Sequence, residues 1–116
     1  MYYYKELKVW QKAIELIVIV YKLTEKFPKS EIFGMTMQSR KSSCSIANNI
    51  AEGSGRGTKK DTNHFLDIAY GSSAELETQL IISEKLTFIN ELELDNCSKR
   101  IDEIQRMITG LKKSQH

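Results

Sequence analysis

The chain has 116 residues, 41% of them hydrophobic and 28% charged, with a formal net charge of +2. That length suits one domain with a real core, taken as a single unit over residues 1–116. The longest apolar run, residues 16–20, is far short of a membrane span, Met1-Tyr2-Tyr3-Tyr4-Lys5-Glu6 lacks a signal-peptide pattern, and Cys44 and Cys97 make no disulfide framework.

Reduced thiols without a leader point to a cytoplasmic protein that stays off membranes. The first predicted helix covers residues 5–26, with Leu7, Trp10, Ile14, Ile17, Tyr21 and Thr24 at helical spacing and Val18 and Val20 widening its apolar face. Phe27-Pro28-Lys29 ends it, because proline restricts its predecessor and offers no N–H. Ser30 is the predicted N-cap of a second helix over 31–52, with Glu31 in its first turn. This helix has two candidate core lines rich in small side chains. One is Ile32, Met35, Ser39, Ser43, Ile46 and Ile50; the other is Phe33, Met37, Arg40, Cys44, Ala47 and Ala51.

Gly53-Ser54-Gly55-Arg56-Gly57 breaks the pattern, and Thr58-Lys59-Lys60-Asp61 has the spacing of a capping box. A third helix over 59–88 carries Phe65, Ala69, Ser72, Leu76, Leu80 and Ser83 on one line. A second line holds Ile68, Ser72, Glu75, Gln79, Ile82 and Leu86. The chain turns near Asn90. In the fourth helix Leu94, Cys97, Ile101, Ile104, Ile108 and Leu111 step by 3, 4, 3, 4 and 3, the cleanest heptad in the chain. Four amphipathic helices on three short loops predict an all-α, antiparallel up-down-up-down four-helix bundle on the order of 30 Å tall.

The polar residues of the second helix are unusual. Gln38, Ser42, Ser45, Asn49 and Glu52 follow steps of 4, 3, 4 and 3, so they share one line of the helix. A solvated face would be rich in Lys and Glu. Amides, hydroxyls and one acid suit instead a seam where helices or subunits satisfy one another's hydrogen bonds. Such a stripe either lines a subunit interface or braces the adjoining loop, and Asn49 and Glu52 are the members placed to tie down loop amides.

The chain resembles one family over nearly its full length, the four-helix-bundle proteins encoded in 23S ribosomal RNA intervening sequences. The residues that carry the resemblance are Leu7-Lys8-Val9-Trp10-Gln11-Lys12-Ala13, Phe27-Pro28, Glu31, Phe33-Gly34, Gln38, Ser45-Ile46, Asn49-Ile50-Ala51-Glu52-Gly53 and Gly55-Arg56. Phe65-Leu66, Ile68-Ala69, Gly71-Ser72, Glu75-Leu76-Glu77 and Leu80 complete it. The resemblance implies an antiparallel four-helix bundle and a homopentamer. The family is in turn similar to the pentameric accessory proteins of diversity-generating retroelements, which bind nucleic acid beside a reverse transcriptase. It implies RNA or DNA as a partner and no enzymatic activity. Two departures stand out: Ala47 where the family often has proline, expected to leave the second helix straighter, and Thr62 where it often has an aromatic, expected to weaken a contact.

Residues 1–60 carry 11 basic and 5 acidic side chains, and residues 61–116 carry 6 and 10. Internal pairing in an antiparallel bundle absorbs part of that asymmetry, and a basic binding face would use the rest. Arg56, Lys59 and Lys60 flank the N-terminus of the third helix, where free N–H groups attract anions, and are the first candidates for phosphate contact. The competing reading pairs Arg56 with Glu52 in a solvated loop. Lys5, Lys8 and Lys12 extend the basic strip along the first helix. Arg40 and Glu75 form a candidate inward charge pair, made within or between subunits, if the hairpin pivots about Arg56.

Chemistry finds little support. Di-iron bundles need two Glu-x-x-His motifs, and only Asp61-x-x-His64 comes near, while His116 lies in the tail. Ser43 and Ser45 have no histidine base placed for them. Cys44 and Cys97 sit on apolar lines, and Trp10 is an anchor for the core or an interface. No cofactor, metal or catalytic residue is expected. The alternative to a nucleic-acid module is a scaffold that docks a protein through the polar seam and Tyr2, Tyr3 and Tyr4.

Overall fold

The computed structural model describes residues 3–114. Four helices carry the fold: α1 (Lys8–Thr24), α2 (Met35–Ser54), α3 (Lys59–Lys85) and α4 (Glu91–Lys113), with single 3-10 turns at Tyr4–Glu6 and Lys29–Glu31. They form an antiparallel up-down-up-down bundle. Each helix packs on its neighbours in sequence, α1 closes the square against α4, and the diagonal pairs stay farther apart at the backbone. The molecule measures 45 × 24 × 20 Å, and α3 alone runs for 27 residues, about 40 Å at the usual rise. None of the described helices is long and apolar enough to cross a membrane.

The heptad of α4 lies where the sequence places it: Cys97, Ile101, Ile104 and Ile108 are fully buried. The α3 line is also kept, with Ala69, Ser72, Leu76, Leu80 and Ser83 buried. Helix α1 is turned. Its core positions are Val9, Ala13, Leu16, Val20 and Leu23, while Ile14 and Tyr21 from the predicted line are exposed. Residues 16–20 are apolar on every side, so periodicity does not fix the phase, and packing against α2 and α4 does. In α2 only the line of Ser39, Ser43, Ile46 and Ile50 goes inward. Phe33 is 81% exposed, and Ala47 is the one fully buried member of the second line. The helix is continuous through Ala47.

Local chemistry explains the helix ends. Helix α2 begins four residues later than expected, and Glu31 replaces Ser30 as its cap: the carboxylate Oε1 accepts the Met35 N–H at 3.1 Å. Gly34 leaves room for it, since a Cβ there would stand 2.8 Å from that oxygen. Thr58 caps α3 as predicted, its Oγ1 accepting the Asp61 N–H at 3.1 Å. Helix α3 stops at Lys85, where the Phe88 N–H bonds back to the Ser83 carbonyl at 2.8 Å around Thr87, which has φ 66. A reciprocal capping box at Asn90 and Glu93 starts α4. Lys26 also donates to Glu93, and its hydrogen bond, followed by that of the Asn90 N–H, holds the Glu93 carboxyl below the usual range. The Phe27 and Phe88 rings, 5.3 Å apart, close this end of the bundle.

Candidate functional site

Helix α2 approaches α3 closely because its inward side chains are small. Thr36, Ser39, Ser42, Ser43 and Ala47 are all buried. Near the turn the approach depends on Gly53, where an added Cβ would lie 3.1 Å from both the Thr62 carbonyl oxygen and Phe65 Cβ. Thr62 donates from Oγ1 to the Gly53 carbonyl at 3.0 Å in a buried bond.

The polar stripe of α2 runs along this junction. The Ser45 and Ser72 hydroxyls share a 2.7 Å hydrogen bond. Asn49 Nδ2 donates to the Ser45 carbonyl at 2.8 Å and to its Oγ at 3.1 Å. Ser42 donates to Glu75 Oε1 at 3.1 Å. Ser42, Ser45, Glu75 and Gln79, with Gln38 and Lys41 on the rim, line an open cleft of about 390 Å3. Two members of the stripe, Ser42 and Ser45, therefore brace α2 against α3. Asn49 and Glu52 do not tie down loop amides as expected: Asn49 turns back to Ser45, and Glu52 Oε2 accepts from Arg56 at 2.8 Å. Gln79 Oε1 and Ser39 Oγ are buried without a hydrogen-bond partner.

Arg40 and Glu75 do not pair within the subunit. The Ser45–Ser72 and Ser42–Glu75 bonds put the hairpin's pivot between Thr58 and Lys59 rather than at Arg56. Position 40 is then level with 77, on the opposite side of α2. Arg40 turns to α1, donating from Nε to Thr24 Oγ1 at 2.8 Å with its guanidinium 4.5 Å from the centre of the Tyr21 ring. Glu75 accepts from Ser42 and, among the described residues, makes no ion pair.

The antiparallel order brings the start of α1, the α2–α3 turn, the start of α3 and the end of α4 to one end of the bundle. Lys5, Lys8, Lys59, Lys60 and Lys113 are exposed there. Lys12 faces Glu103 at 3.6 Å, and Lys112 binds Asp67. Arg56 is held by Glu52 and stacks over Phe65, 4.6 Å from the ring centre. Of the six basic residues singled out from sequence, Lys5, Lys8, Lys59 and Lys60 face solvent, whereas Lys12 and Arg56 are paired. Exposed pairs of this kind are weak and exchange readily for other anions.

Among the described residues no three His, Cys, Asp or Glu side chains are grouped to hold a metal ion. His64 stands edge-on to Phe65, Ser43 donates to the Arg40 carbonyl at 2.9 Å, and both cysteines are free. Burial pushes the Cys97 thiol up to about 11, against a weaker opposing pull from Arg100. Tyr3 is exposed and Tyr4 packs edge-on to Trp10 at 5.3 Å; Tyr2 and His116 lie outside the described residues.

These features define an all-α four-helix bundle whose polar residues gather at the α2–α3 junction and its open cleft. The chain belongs to the 23S rRNA-intervening sequence protein family, whose family model matches residues 5–110. Its fold is similar to that of a solved protein of unknown function from the S23 ribosomal protein family of Bacteroides thetaiotaomicron. The TM-score is 0.84 at 23% identity, over 91% of this chain and 99% of that one. No curated protein matches the sequence.

Proposed function

We propose that the chain is a non-catalytic, homo-oligomeric accessory protein, a pentamer by its family resemblance, that binds RNA or DNA in the cytoplasm. The observation that carries this reading is the set of exposed lysines at one bundle end that make no ion pair among the described residues, Lys5, Lys8, Lys59 and Lys60, beside the exchangeable Arg56. Repeating that end around an oligomer would multiply weak phosphate contacts into useful avidity. Free thiols suit a reducing compartment.

Electrophoretic mobility shift with a structured ribosomal RNA fragment and with duplex DNA tests it. Binding is expected to weaken steeply as salt rises from about 50 to 200 mM. The Lys59→Glu, Lys60→Glu double variant should lose most of the shift. Absence of any salt-sensitive shift overturns the nucleic-acid reading.

A second reading, a protein-docking scaffold, is favoured by one feature, the exposed apolar residues Phe33, Ile32 and Val18, at 81%, 56% and 48% exposure. Copurification of a defined protein with no absorbance excess at 260 nm would select it.

A further inference from the structure

Two adjacent faces of the bundle are unfinished, and they differ in character. On the α1–α2 face, Ile14, Val18 and Tyr21 follow helical spacing and remain 37%, 48% and 39% exposed. They run on to Met37 and Phe33 of the α2 region, and a shallow cleft of about 340 Å3 between Tyr21, Met37 and Arg40 joins the two helices. Lys22 and Arg40 give this face a basic edge. The α2–α3 face carries Ile68, Ile82 and Leu86, at 39%, 39% and 51% exposure, around the polar cleft.

That cleft holds acceptors that its own donors leave unmet. Glu75 is exposed and makes no ion pair among the described residues, although Lys41 shares the rim, and Gln79 is 9% exposed with its Oε1 buried and unpartnered. A buried acceptor left empty is costly, so such groups are normally satisfied. The missing chemistry is a cation or N–H donor carried on an apolar surface. The α1–α2 face offers that combination.

We infer that the α1–α2 face of one copy docks on the α2–α3 cleft of the next, so that a basic side chain of the first face completes Glu75 and Gln79 of the second. This rests on the homo-oligomer reading above and names its contact. The faces are complementary to each other and not to themselves, so the contact is head-to-tail. Both faces share α2 as a common edge, so their outward directions diverge by roughly a right angle. Repeating a head-to-tail step of that kind closes a ring of about four or five copies with α2 toward the axis.

Two exposed-site variants test the inference, Val18→Lys on one face and Ile82→Lys on the other, with helix content and melting temperature compared with wild type. Each alone should run in native mass spectrometry as a single 13.4 kDa chain. Mixed in equal amounts, they should form a two-chain particle and nothing larger, because each supplies the face the other lacks. Glu75→Gln should weaken wild-type assembly about tenfold. If either lysine variant unfolds, Val18→Ser and Ile82→Ser replace the pair. Wild-type assemblies that survive both variants intact would overturn the assignment of faces and leave the homo-oligomer standing. A wild-type monomer would overturn both.

Discussion

Ser45 and Ser72 hold α2 to α3 through a single hydroxyl–hydroxyl bond of 2.7 Å, with the Asn49 amide against the same oxygen. Two serines at this crossing let the helices approach more closely than two leucines would, and each hydroxyl supplies what the other needs. Ser45→Ala or Ser72→Ala should each cost about 1 kcal/mol in urea unfolding. The double variant should cost less than the sum, because the first change already removes the bond. Strict additivity would show that the hydroxyls act independently.

Gly53 permits the tight α2–α3 corner. Gly53→Ala forces its Cβ against the Thr62 carbonyl, which is backbone and yields little. A loss of about 1–3 kcal/mol is expected. Gly110→Ala, in an open helical position with nothing within 4 Å, should instead leave stability unchanged or raise it by up to about 1 kcal/mol. Thermal melts should show a clear fall for Gly53→Ala and none for Gly110→Ala.

Thr87 occupies the left-handed backbone region at φ 66 while ending α3. A β-branched side chain is strained there, and glycine is not. Thr87→Gly should therefore stabilise the protein by about 1 kcal/mol, read as a rise of several degrees in Tm. A fall in Tm would mean that the Thr87 side chain contributes more than its backbone costs.

Cys97 is a buried thiol raised to about 11 from an ordinary 9.0. The unfolded chain ionises it first, so its contribution is complete below pH 9 and disappears as pH rises from 9 to about 11. Cys97→Ala should cost about 1 kcal/mol at neutral pH and show a flatter loss of stability across that alkaline window. In thiol labelling of the native protein, the half-buried Cys44 should react first, and Cys97 at the rate of unfolding.

How far the sequence could be read varied with how distinct each pattern was. Helix α4 has one apolar line and nothing to compete with it, so its register was plain. In α1 apolar residues lie on several sides, and only tertiary contact decides that Val9, Ala13 and Leu16 go inward while Ile14 does not. The polar stripe on α2 was visible as a spacing, but one helix does not reveal which neighbour it meets. That needed the hairpin register, whose pivot lies between Thr58 and Lys59 rather than at Arg56, and the side of α2 each residue takes, which turns Ser42 to Glu75 and Arg40 to α1. The Asn90-x-x-Glu93 cap could have been found from its spacing alone. Glu31 acting across Gly34 could not, because it depends on a 3-10 turn that periodicity does not report.

Helix α2 buries mainly hydroxyls, methyls and a glycine, with Ile46 and Ile50 as its large inward side chains, whereas α4 buries an unbroken row of isoleucines. Little oil therefore glues α2 in place, and its attachment relies on close fit with both flanking rods. When the bundle breathes, α2 should be the first element to loosen, exchanging its amide protons well ahead of α4. The same rod that carries the serine row would then be the part of the subunit most dependent on its surroundings for order.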